Sequence, residues 1–123
     1  MPSEDLLPTS FTSHISTIEV NEVRINVRVL KMINSVFIYI APEADESIHE
    51  AGVAMPMSNP KEFIGTTILG DQLGCDSQEL ATKLSRKLEK QVYLSCNVPF
   101  DRMLRPILEK NLNSLIKEHP ECF

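Results

Sequence analysis

The chain has 123 residues, 42% of them hydrophobic, which is enough for one domain that buries about two-thirds of its unfolded surface without a covalent or metal staple. Its formal net charge of -5 is uneven: residues 1–62 hold four Lys/Arg against nine Asp/Glu, and residues 63–123 hold eight of each. An acidic chain with no basic arm is a poor ligand for nucleic acid, because that affinity rests on phosphate neutralisation, and its longest strongly apolar run, residues 36–41, is far short of the roughly 20 residues that span a bilayer.

Residues 1–10 carry Pro2, Pro8 and small polar side chains and read as a flexible tail before a single domain over residues 11–123. The start, Met1-Pro2-Ser3-Glu4-Asp5, is acidic where a signal peptide is basic, and no apolar h-region follows. From Val23 the period is two: Val23, Ile25, Val27 and Val29 on one side, Arg24, Asn26 and Arg28 on the other, a strand with one wet face. Ile18 and Val20 are in phase before it, so a hairpin through Asn21-Glu22 is expected. The run Val36-Phe37-Ile38-Tyr39-Ile40 is β-branched or aromatic at every position, which suits a central strand covered on both faces.

Residues 42–50 hold Glu43, Asp45, Glu46 and Glu50 against no cation of their own and read as an acidic surface loop. Short strands are expected over residues 52–57, closed by Pro56 and the Asn59-Pro60 turn, and over residues 63–69, stopped by Gly70-Asp71. Five strands with short connections point to an antiparallel meander. Asp76, with Glu79 three residues on, marks a helix start, and Leu80, Leu84 and Leu88 with Ala81 make its buried stripe. Residues 91–96 return to strand. A last helix starts near residue 101 or 105, the later start being favoured because Pro106 fits only a first turn. Ile107, Leu108, Leu112, Leu115 and Ile116 give its apolar face, and Pro120 ends it. The layout is β-β-β-β-β-α-β-α: an α+β fold, an antiparallel sheet or open sandwich of about six strands with two helices.

Residues able to carry chemistry do not converge in the sequence. Cys75, Cys96 and Cys122 are odd in number and far apart, which suggests neither a disulfide framework nor a closed zinc site, and favours a reducing compartment, the cytoplasm or the nucleus. His14, His49 and His119 sit in a tail-proximal strand, a loop and a helix end, not placed to meet. His119 with Cys122 is two ligands at a chain end. Cys96 is a nucleophile only with an imidazole beside it, and otherwise a small buried hydrophobe. Gly65, Gly70 and Gly74 lack the Gly-Lys-Ser/Thr of a phosphate loop; Gly70-Asp71 better supplies the positive φ of a tight turn. Two features suit a protein partner instead. Lys83, Arg86, Lys87 and Lys90 lie opposite the leucine stripe with a local charge of about +3 once Glu89 is counted, either a solvated face or a dock for an acidic surface. The strand of Val36, Ile38 and Ile40 asks for cover on a second sheet face, from a partner or from the chain's own remaining strands.

Val53-Ala54-Met55, Ile68-Leu69-Gly70-Asp71, residues 80–87 (Leu-Ala-Thr-Lys-Leu-Ser-Arg-Lys), residues 90–97 (Lys-Gln-Val-Tyr-Leu-Ser-Cys-Asn) and the closing Pro120-Glu121-Cys122-Phe123 keep the order and approximate spacing of a known family. Over residues 36–123 the chain resembles the fourth proteasome assembly chaperone family. The resemblance implies a non-catalytic protein without cofactor or small-molecule substrate. It implies a heterodimer with the third proteasome assembly chaperone that helps proteasome α-type subunits assemble into the ring of the 20S particle. It also includes Lys83, Arg86 and Lys87 in the matching block and implies an acidic loop longer than the usual connection. Two rival classes remain at this point: a generic heterodimeric adaptor of similar α+β shape, and a small intracellular enzyme using Cys96.

Overall fold

The computed structural model describes residues 12–20, 22–44, 46–57, 63–70, 76–98 and 104–123. The tail over residues 1–10, the Asn59-Pro60 turn, Asp71, Gly74 and Cys75 lie outside them. The elements are β1 (Thr12–Val20), β2 (Val23–Lys31), β3 (Ser35–Pro42), β4 (Ala51–Pro56), β5 (Phe63–Leu69), α1 (Asp76–Leu88), β6 (Gln91–Cys96) and α2 (Leu104–Glu118), followed by a 3-10 turn at Pro120–Cys122. The expected order of elements is therefore present.

The six strands form one open sheet in the order β1-β2-β3-β6-β4-β5. β1 and β2 form the expected hairpin, with Val20 opposite Val23 and Glu22 at φ 67°. The five-strand meander is corrected: β6 inserts between β3 and β4, parallel to β3 and antiparallel to β4. The physical reason lies in β3, whose apolar residues need a strand on each side, and α1 supplies the crossover that a parallel neighbour requires.

Both helices cover one face. Strand alternation sends Ile25, Val27 and Val29 of β2, Val36, Ile38 and Ile40 of β3, and Val92, Leu94 and Cys96 of β6 to that side. There they meet Leu80, Ala81 and Leu84 of α1, Leu108, Leu112 and Ile116 of α2, and Phe123. Ile107, expected on the buried face of α2, is 38% exposed. Close approach of α1 to β4 and β5 depends on glycine: a Cβ on Gly52 would come 2.7 Å from Gln78 Cα.

The start of α1 is capped from a distance. Glu79, expected to bond back to the helix start, pairs with Arg105 of α2 at 3.0 Å. The carboxylate of Glu50 does the capping, accepting the Ser77 N–H at 2.9 Å and the Ser77 hydroxyl at 2.7 Å. Negative charge belongs at that end of a helix. Asn97 fastens the same segment: its Oδ1 accepts the N–H groups of His49 (2.6 Å) and Glu50 (3.3 Å), and its Nδ2 donates to Ser95 Oγ (2.9 Å) and the Ile40 carbonyl (3.3 Å). Asn97→Ala is expected to cost about 1 kcal/mol, because it leaves the part-buried Glu50 N–H without its acceptor. A urea melt of the variant measures it.

Candidate protein-interaction surfaces

The sheet face away from the helices is apolar along its centre. Register aligns Leu30, Phe37, Tyr93, Val53 and Thr66 across β2, β3, β6, β4 and β5. Leu30, Phe37, Tyr93 and Val53 are half-buried, and Met55, Ile64 and Ile68 beside them are 37%, 47% and 57% exposed. At the other end of the sheet Ile15 is 56% exposed, beside a groove of about 440 Å³ also lined by Leu30, Phe37, Tyr39 and Ile48. Exposed apolar area of this extent marks an interaction surface.

Val36, Ile38 and Ile40, the candidate partner-facing residues of β3, are not on it. Each is fully buried against the helices. The period of two that aims them inward sends Phe37 and Tyr39 to the open face, so the candidate residues from this strand become Phe37 and Tyr39.

The acidic segment is not a free loop. Residues 43–44 and 46–50 lie as a strap on the open side of β2 and β3, and the wet-face arginines of β2 hold it. The Arg28 guanidinium donates to both oxygens of Glu46 at 2.8 and 2.9 Å, Arg24 lies 3.6 Å from Glu43, and the Tyr39 hydroxyl donates to the Ser47 carbonyl at 2.8 Å. The hydrogen bond from Arg28 is the main cause that holds the Glu46 carboxyl below the usual carboxylate range. A carboxylate depressed in the folded state gives its hold above the unfolded pKa and loses it as pH falls through the lowered value, so this attachment is complete at neutral pH and released only in acid.

The basic row on α1 is partly engaged. Lys83 pairs with Glu109 of α2 at 3.1 Å, and the Lys87 ammonium donates to Asn113 Oδ1 at 2.9 Å. Lys90 turns away toward the chain end and donates to the Phe123 main-chain oxygen; burial, then the charge of Lys31, lowers its pKa from the ordinary lysine value. Arg86 is exposed on the same helix. Lys83 and Lys87 of this row are therefore tied to α2.

Catalytic candidates fare differently. His14 and His119 do meet, with ring centroids 5.3 Å apart, because the chain end folds back against β1. His49 is elsewhere, its main chain bonded to Asn97. Among the described residues no group of three or more His, Cys, Asp or Glu is placed to hold a metal. Cys96 is buried in the core, and burial, then the charge of Glu121, pushes the Cys122 thiol up, away from the reactive thiolate. Gly70 adopts φ 112°, the turn conformation expected of it, with Glu50 packed where a side chain would go. Among the described residues no helix is long and apolar enough to cross a membrane.

Residues 24–98 match the family model of proteasome assembly chaperone 4. The chain is similar to human proteasome assembly chaperone 4, with 27% identity over 100 residues that cover 80% of each chain. Its fold is similar to that of a chain in a crystal structure of a chaperone complex for yeast 20S proteasome assembly, with a TM-score of 0.67, 17% identity, and coverage of 89% of this chain and 98% of that one.

Proposed function

This chain belongs to the proteasome assembly chaperone 4 family, and we propose that it acts as one half of a heterodimer with the third proteasome assembly chaperone, promoting assembly of α-type subunits into the ring of the 20S particle, in the cytoplasm or nucleus. Chaperones of proteasome assembly are not enzymes, in keeping with the core position of Cys96. The observation that carries the proposal is the bifacial build: one sheet face sealed by helices, the other apolar and open around Phe37, Tyr93, Val53 and Ile64. The partner chaperone covers that open face. The dimer then binds α subunits, fixes which are neighbours, and leaves when the growing particle covers its site, energy entering only as differential binding.

The test is affinity purification of the tagged chain from its own cells with mass spectrometry. The expected result is recovery of the third chaperone and of α-type subunits, with little of the mature particle. Recovery of a membrane-traffic complex with no proteasome subunit would move the chain to the adaptor class. Co-expression with the partner is also expected to yield monodisperse protein where the chain alone aggregates, since it leaves so much apolar face uncovered.

A further inference from the structure

The two helices form the cationic side of an acidic chain. α1 and α2 together hold six Lys/Arg against four Asp/Glu, and the remaining residues hold six against thirteen. On the outer side of the helix pair, Lys87 of α1 and Lys110 and Lys117 of α2 surround a groove of about 730 Å³, with Pro106 and Ile116 giving it apolar wall. Glu109, the carboxylate among the described residues of its lining, is taken up by Lys83 at 3.1 Å and Arg105 at 3.3 Å. Lys87 rests on Asn113, a neutral acceptor, and keeps its whole charge to offer.

We propose that this groove takes an acidic segment of a protein client, its carboxylates meeting Lys87, Lys110 and Lys117 and an apolar side chain lying on Pro106 and Ile116. Charge complementarity selects the occupant. A net charge of -5 disfavours a polyphosphate backbone, which carries its charge well beyond the reach of three lysines and would face the acidic remainder of the chain. An acidic protein segment presents charge only locally, and attraction of this kind sets association rate and orientation more than final affinity. The groove lies on the helix side, opposite the open sheet face, so client and partner chaperone bind without competing. The proposal rests on the assembly-chaperone reading above and names the client chemistry for it.

The probe is a fluorescent peptide that alternates glutamate pairs with leucine, titrated into the purified chain alone and into its heterodimer with the partner, beside a poly-uridylate oligonucleotide of equal charge. Lys87→Glu/Lys110→Glu/Lys117→Glu is expected to weaken peptide binding at least about tenfold at low salt, while the matching Lys→Arg triple retains it. The difference should shrink to about twofold at high salt, where the screening length falls to roughly 3 Å. Heterodimer formation, read by gel filtration, should be unchanged, and capture of α subunits by the heterodimer should slow in parallel. If the triple fails to fold, Lys110→Gln/Lys117→Gln, both at exposed positions, takes its place with a proportionate loss. Equal peptide affinity for wild type and Glu triple overturns the proposal. So does tighter binding of the oligonucleotide than of the peptide, or undiminished α-subunit capture by a triple that has lost the peptide. Failure of the wild-type heterodimer to form or to capture α subunits strikes the chaperone reading instead, because the titration on the chain alone reads the groove by itself.

Discussion

Gly52→Ala is expected to destabilise the chain by about 3 kcal/mol, the upper part of the range for forcing extra volume into a packed interior. The added Cβ would lie 2.7 Å from Gln78 Cα and 2.8 Å from Gln78 N, both backbone atoms of α1. Backbone cannot turn aside as a side-chain end can, so the helix must lift from β4 and surrender part of the packing of Leu80 and Ala81. The neighbouring Gly65→Ala is the internal control. Its Cβ would meet Thr82 Oγ1 at 2.5 Å and then Gln78 Cγ at 3.3 Å, both side-chain atoms. Rotation of Thr82 relieves the clash at the loss of its bond to the Gln78 carbonyl, for about 1 kcal/mol. Thermal melts should show a fall of roughly 10 °C for Gly52→Ala and about a third of that for Gly65→Ala. Similar melts for the two would mean that α1 is not seated on bare backbone at β4.

What was legible in the sequence was whatever local period controls. The phase of Ile25, Val27 and Val29 and the stripe of Leu80, Ala81 and Leu84 are read from spacings of two and four, and the structure buries them, while Val23 at the strand start is 47% exposed and Leu88 at the helix end is only partly buried. The apolar quality of every position in β3 is likewise explained by two covered or coverable faces: Val36, Ile38 and Ile40 under the helices, Phe37 and Tyr39 on the open side. Spacing alone could not say which alternate set goes inward. That choice is made by α1 and α2, which contribute nothing to the local pattern of β3.

The features that were not legible are those that depend on register across long separations. Arg24 and Arg28 look like ordinary wet-face residues, and Glu43 and Glu46 like a solvated run, until the β2–β3 pairing folds the strap back onto its own hairpin. Glu50 as the cap of α1 joins residues 27 positions apart, and Asn97 reaches back 48 positions to His49. The insertion of β6 beside β3 follows the same logic: residues 91–96 announce a strand but not its neighbours. The candidate residues of β3 shift for a related reason, from the buried set Val36, Ile38 and Ile40 to Phe37 and Tyr39 on the open face.

Ile64→Asp combined with Ile68→Asp is expected to abolish association with the partner chaperone, weakening it by at least about a hundredfold, with little loss of monomer stability. Both side chains stand on the open face of the edge strand β5, 47% and 57% exposed, beside Met55 and Val53. In the free chain a carboxylate at such positions stays in water, so each change should cost about 0.5 kcal/mol or less. Beneath a partner the same carboxylates lose water without gaining a counter-charge, and burial of an unpaired charge costs several kcal/mol. A hundredfold loss requires only about 2.7 kcal/mol, so desolvation of one carboxylate suffices. Ile33→Asp is the matched control, because Ile33 is 72% exposed in the turn between β2 and β3, outside the strands of that face. Calorimetric titration of the purified partner into each variant, with circular-dichroism melts alongside, separates binding from folding. Unchanged affinity in the Ile64/Ile68 variant, with loss in the Ile33 variant, would move the dimer contact to the β2–β3 end of the molecule and leave the open face to some other occupant.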